Sequence, residues 1–101
     1  MKIIKKLSEM ISEEIEDAEK YARCALMHKE DMPELAETFF RLSNEEMGHM
    51  NMLHDQVTRI ITDYRKKNGD PPEGMMTLYN YLHEKQIDHA AVVKSMLGMF
   101  R

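Results

Sequence analysis

Trp is absent from the 101 residues, and only one Cys, three Pro and four Gly occur. A single thiol, Cys24, excludes an internal disulfide and reads as a small apolar residue of a helix. The scarcity of Gly and Pro leaves long segments free to stay helical. No apolar run approaches the roughly 20 residues that span a bilayer, so no membrane partner is expected. The segment from Met1 to Leu7 faintly imitates a signal peptide, but Ser8, Glu9, Ser12, Glu13 and Glu14 break any hydrophobic region. A cytoplasmic protein is therefore expected. Nor does positive charge dominate. The 14 Lys and Arg residues face 18 Asp and Glu residues, a net charge of −4 that argues against nucleic acid as a partner. Arg65, Lys66 and Lys67 form the one basic run, which suits the dipole at a helix C-terminus.

Hydrophobic residues make up 43% and charged residues 32% of the chain, a balance that fits one helical domain spanning residues 1–101. The pattern predicts helices over about 3–29, 32–67 and 71–99. Asp31-Met-Pro-Glu34 reads as a capping box that starts the second helix, and Asp70-Pro-Pro-Glu73 as the start of the third. Asn68-Gly69 supplies a stop between them. Gly48 lies within the second helix, where it is expected to allow close helix approach. Short connections give an all-α, antiparallel helical bundle.

Two stripes carry the chemistry. In the first helix Leu7, Ile11, Glu14, Ala18, Tyr21, Ala25 and His28 follow at alternating 4,3 spacing. In the second helix Leu35, Phe39, Leu42, Glu46, His49, Leu53, Gln56 and Ile60 do the same. Such spacing keeps each set on one seam, so Glu14, Glu46 and His49 are expected to face inward. A bare carboxylate is costly to bury, and a cation relieves that cost. Glu14 precedes Asp31 by 17 residues and Glu46 follows it by 15, which sets the two level within about a turn. Glu46-Met-Gly-His49 is a Glu-x-x-His unit, whose spacing puts an oxygen and an imidazole nitrogen on one face. A metal site and a satisfied buried hydrogen-bond network both fit these residues.

Glu14-Ile-Glu-Asp-Ala-Glu-Lys-Tyr21, with Leu35-Ala-Glu-Thr-Phe39 and Glu45-Glu-Met-Gly-His49, resembles the first helix pair of the ferritin-like superfamily. Rubrerythrins and bacterioferritins show a Glu with a Tyr seven residues on, then Glu-x-x-His on the next helix. The resemblance covers residues 7–61. It implies Glu14 as a terminal ligand, Glu46 as a bridging carboxylate, His49 as the nitrogen ligand and Tyr21 as a nearby hydrogen-bond donor. It further implies iron, as a di-iron centre, with zinc or manganese as alternatives.

A second Glu and a second Glu-x-x-His are missing from the chain, so one copy holds half a di-iron site. A homodimer would complete both the site and a four-helix core, as half-length relatives such as the encapsulated ferritins do. The implied activity is Fe(II) oxidation or peroxide reduction. No rubredoxin-like Cys pairs occur, which favours iron oxidation.

A rival site adds His89, from Gln86-Ile-Asp-His89, because His49 and His89 each lie 20 residues from Gly69. That set would suit one ion such as zinc or iron. Two further readings remain open: a non-catalytic helical interaction protein, and a single-ion structural site. Among the other His residues, His54 is expected at a boundary, His28 at a helix end and His83 in solvent.

Overall fold

The computed structural model describes residues 1–101. Its chain forms three helices: α1 over Lys2–Met27, α2 over Pro33–Asn68 and α3 over Glu73–Phe100. α1 and α2 make an antiparallel hairpin. α3 turns back against α2 and so runs parallel to α1, which it packs against. α1 is the shared element, since α2 and α3 meet each other sparsely. The result is a rod of 56 × 19 × 18 Å.

Small residues bring α1 and α2 together near their connection. Ala18, Ala22, Ala25 and Ala36 are buried, and the buried Ser43 hydroxyl donates to the Ala18 carbonyl at 2.7 Å. Toward the other end Ile4, Ile11 and Ile15 pack with Met47, Val57 and Ile61. A second cluster of Ala25, Ala36 and Phe100 closes the loop end, where Phe40 stacks on Phe100 with centroids 4.8 Å apart. α3 docks on α1 through Ala90 and Val93 and through one buried amide. Gln86 Nε2 donates to the Ser8 carbonyl at 3.0 Å and reaches the Ser8 and Ser12 hydroxyls at 3.2 and 3.0 Å.

The helix starts differ from the expected capping boxes. Pro33 disfavours a helical conformation at the residue before it, so Met32 takes the cap position with φ −139° and ψ 70°. Asp31 is thereby one residue too early to cap, and its carboxylate pairs with His28 Nδ1 at 3.3 Å. Likewise Pro72 occupies the cap of α3, and Asp70 turns back toward Arg65. Gly69 ends α2 at φ 78°, a left-handed conformation that glycine adopts without strain. Gly48 serves no close approach within the chain, because a Cβ built there meets nothing within 4 Å.

The buried stripes also differ from expectation. On α1 the buried residues are Ile4, Ser8, Ile11, Ile15, Ala18, Ala22 and Ala25. Leu7, Glu14 and Tyr21 lie about 100° around the helix from Ser8, Ile15 and Ala22, and are half-buried. On α2 the buried residues are Ala36, Ser43, Met47, Val57 and Ile61, which with Phe40, Met50 and His54 form their own 4,3 stripe. The Leu35-to-Ile60 stripe flanks it on the surface side. Leu35, His49 and Gln56 are exposed, while Phe39, Leu42, Glu46, Leu53 and Ile60 are half-buried.

Candidate metal centre

Glu14 comes from the middle of α1, and Glu46 and His49 come from adjacent turns of α2. Three ligand atoms, one from each residue, lie within 4.8 Å of one another. His49 Nδ1 stands 3.5 Å from Glu14 Oε2 and 3.6 Å from Glu46 Oε1. These are ion-pair distances rather than good hydrogen bonds. The three side chains sit at the edge of the α1–α2 seam instead of inside a dry core. Glu14 and Glu46 are 24% and 19% exposed, and the His49 side chain is 54% exposed. The expectation that all three point inward is corrected on this point. α3 covers the opposite side of α1, and nothing in the chain covers this one.

The electrostatics of the cluster centre on Glu46. Glu14 Oε2 is sealed from solvent and accepts no hydrogen bond. The neighbouring Glu14 carboxyl, through a side-chain hydrogen bond, and then burial push Glu46 up to about 7 from the usual 4.5. The negative charge of Glu14 adds to the rise, that of Asp17 contributes a little, and His49 opposes it. The crowding of the two carboxyls therefore disfavours the charged form of Glu46. Carboxylate oxygens with one imidazole make a donor set suited to iron, manganese or zinc.

The close packing beside the cluster fixes its spacing. Ser43 lies one turn before Glu46, and Ala18 one turn after Glu14. Their hydrogen bond draws the two backbones together at that depth. Tyr21 lies two turns along α1 from Glu14 and stacks on Phe39, with ring centroids 6.2 Å apart. Both rings belong to the half-buried flank.

His89 does not join this set. Its depth along the bundle is similar, as the loop counts require, but Nε2 meets Glu19 Oε1 at 2.7 Å. Glu19 lies about 140° around α1 from Glu14, so the two arrangements stand on different sides of that helix. Arg23 and then His89, by hydrogen bonding, hold the Glu19 carboxyl below its usual value. Gln86 is likewise engaged with Ser8 and Ser12.

Two features escaped the sequence reading. Asp17 is half-buried and lies near enough for its charge to add a little to the rise of Glu46. Its position three residues after Glu14 was the available signal. His83 was expected in solvent. It is half-buried, its Nδ1 is sealed without a partner, and its ring stacks on His54.

No helix is long and apolar enough to cross a membrane. No family model, curated protein or solved structure matches the chain.

Proposed function

We propose that the chain is a half-length ferritin-like iron protein, in which two copies pool Glu14, Glu46 and His49 at their interface. The convergence of three ligand atoms within 4.8 Å, on an edge the chain itself leaves uncovered, carries this reading. One copy offers two carboxylates and one imidazole, and a two-fold axis beside them doubles the set to that of a di-iron carboxylate centre. The flanking Leu35, Phe39, Leu42, Leu53 and Ile60 supply apolar surface for the second copy. Their burial against its counterparts completes a four-helix core.

Fe(II) is the substrate of the proposed reaction, losing one electron per ion to dioxygen or peroxide. The chain's own contribution is to hold the ions and to surrender the Glu46 proton as they bind. Tyr21, on the same flank, is the proposed hydrogen-bond donor beside the centre.

The test combines solution mass with oxidation kinetics. Protein loaded anaerobically with Fe(II) and then exposed to air is expected to oxidise it faster than buffer does, as a dimer or larger homo-oligomer. The triple variant Glu14→Gln, Glu46→Gln, His49→Asn should fall to the buffer rate. Equal rates for wild type, variant and buffer would discard the iron reading.

A second reading is a single-ion structural site, since all three donors already converge within one chain. A chelator would then lower the melting temperature of a monomer with no redox change. A non-catalytic scaffold is separated from both by Glu14→Leu with His49→Leu, which should stabilise it and leave partner binding intact.

A further inference from the structure

α2 and α3 each follow α1 but splay from one another, and a cavity of about 300 Å³ opens between them. Its floor is Ile11 of α1. His54 and Met50 line it from α2, and His83, Gln86 and Lys94 line it from α3. No carboxylate lines it, in a chain whose net charge is −4. The ring of His54 stacks on that of His83, with centroids 4.8 Å apart and planes 13° from parallel. Tyr79 continues the stack beyond His83 at 5.7 Å.

His83 Nδ1 is sealed from solvent and has no hydrogen-bond partner. A polar atom orphaned in this way costs about 1–3 kcal/mol, and an ion or an ordered water is the usual remedy. Two imidazoles from two helices, with a thioether on the same wall, indicate which ion. We propose that His54 and His83, with the Met50 sulfur, form a binding site for a soft monovalent transition-metal ion, Cu(I), separate from the Glu14–Glu46–His49 edge.

Neutral nitrogen and thioether sulfur favour soft ions. The missing carboxylate leaves the charge of a divalent ion uncompensated in a partly buried cleft, whereas a monovalent ion needs less compensation. Lys94, the one fixed cation on the wall, is 11 residues from His83 on α3, about 16 Å along the axis. Gln86 Nε2 donates to Ser8 and Ser12, and the remaining amide oxygen is a hard donor that suits a soft ion poorly. At a metal–nitrogen distance of about 2 Å, two bridged donors stand no more than about 4 Å apart. For both lone pairs to meet one ion, the rings, now 13° from parallel at 4.8 Å, would have to leave the stack and tilt toward a common edge by side-chain torsion.

The test is anaerobic titration of the full chain with Cu(I) against a chromophoric chelator. It compares wild type with His54→Phe, His83→Phe, Met50→Leu and the Glu14→Gln, Glu46→Gln, His49→Asn triple variant. The phenylalanine variants keep the ring stack and remove the donors. Wild type and the triple variant should hold one Cu(I) per chain, with nitrogen and sulfur in the X-ray absorption shell. Each Phe variant should lose more than the roughly tenfold affinity that even an outer-shell partner is worth. Copper held equally by wild type and both Phe variants, or lost only in the triple variant, overturns the proposal. Should His83→Phe fail to fold by circular dichroism, His54→Phe and Met50→Leu decide the matter in the same way.

Discussion

The α1–α2 edge and the α2–α3 cleft both gather titratable side chains, but they make the neutral form favourable from opposite directions. At the edge, Ser43 and the alanines draw two backbones together, and the Glu14 carboxyl beside Glu46 raises its proton affinity. In the cleft the helices splay, the rings of His54 and His83 stack, and burial lowers the proton affinity of His83. One place retains a proton that solvent would remove, and the other sheds a proton that solvent would supply. Packing density decides which. Where backbones crowd, like charges meet; where they part, soft neutral groups fill the gap.

The largest expected effect tests whether the tight seam carries the stability. Ile15→Ala, at a position 1% exposed, should cost about 2–5 kcal/mol in denaturant unfolding. Ile87→Ala, on the exposed rim of the cleft, should stay within about 0.5 kcal/mol. Similar losses at the two positions would break the contrast. Next comes the amide that ties the cleft wall to α1. Gln86→Ala should cost about 1–3 kcal/mol, because the Ser8 and Ser12 hydroxyls lose their buried donor.

The pH dependence sharpens the comparison further. Glu46 is raised from 4.5 to about 7 in the folded chain, so its contribution is complete below 4.5 and is lost as pH rises through about 7. His83 is lowered from 6.5, so its contribution is complete above 6.5 and is lost as pH falls through its folded value. Below 6.5 the two slopes oppose each other in the metal-free chain. Glu46→Gln should expose the acid-side loss, and His83→Phe the loss toward neutral pH. Parallel curves for all three proteins in thermal melts across that range would remove the electrostatic contrast. The smallest effect concerns Gly48. With nothing within 4 Å of an added Cβ, Gly48→Ala should stabilise α2 by about 1 kcal/mol in dilute protein. A gain that vanishes at high concentration would mark Gly48 as a contact of the proposed second copy.

The three helices were legible because all three Pro, and Gly69, fall where the chain turns. The meeting of Glu14 with Glu46 and His49 was legible too, from residue counts on either side of Asp31. What the pattern hid was which of two stripes on α2 is buried. Leu35 to Ile60 and Ala36 to Ile61 share the same 4,3 spacing, and the first holds the larger apolar residues. The second wins in the folded chain because Ala36 and Ser43 let α1 come close, an advantage that hydropathy does not register. Asp31 misled for a related reason, since Pro33 shifts the start of α2 past its reach. His83 was unreadable because its burial depends on a cleft formed by a helix distant in sequence.

The Ser43–Ala18 hydrogen bond has a consequence for selectivity. It acts as a caliper locked one turn from Glu14 and Glu46, so the separation of the two backbones that carry the carboxylates is set there. If the proposed metal site is correct, ions of different radius would be accommodated there by torsions of the glutamates and His49 rather than by separating the helices, which would break a sealed hydroxyl–carbonyl bond.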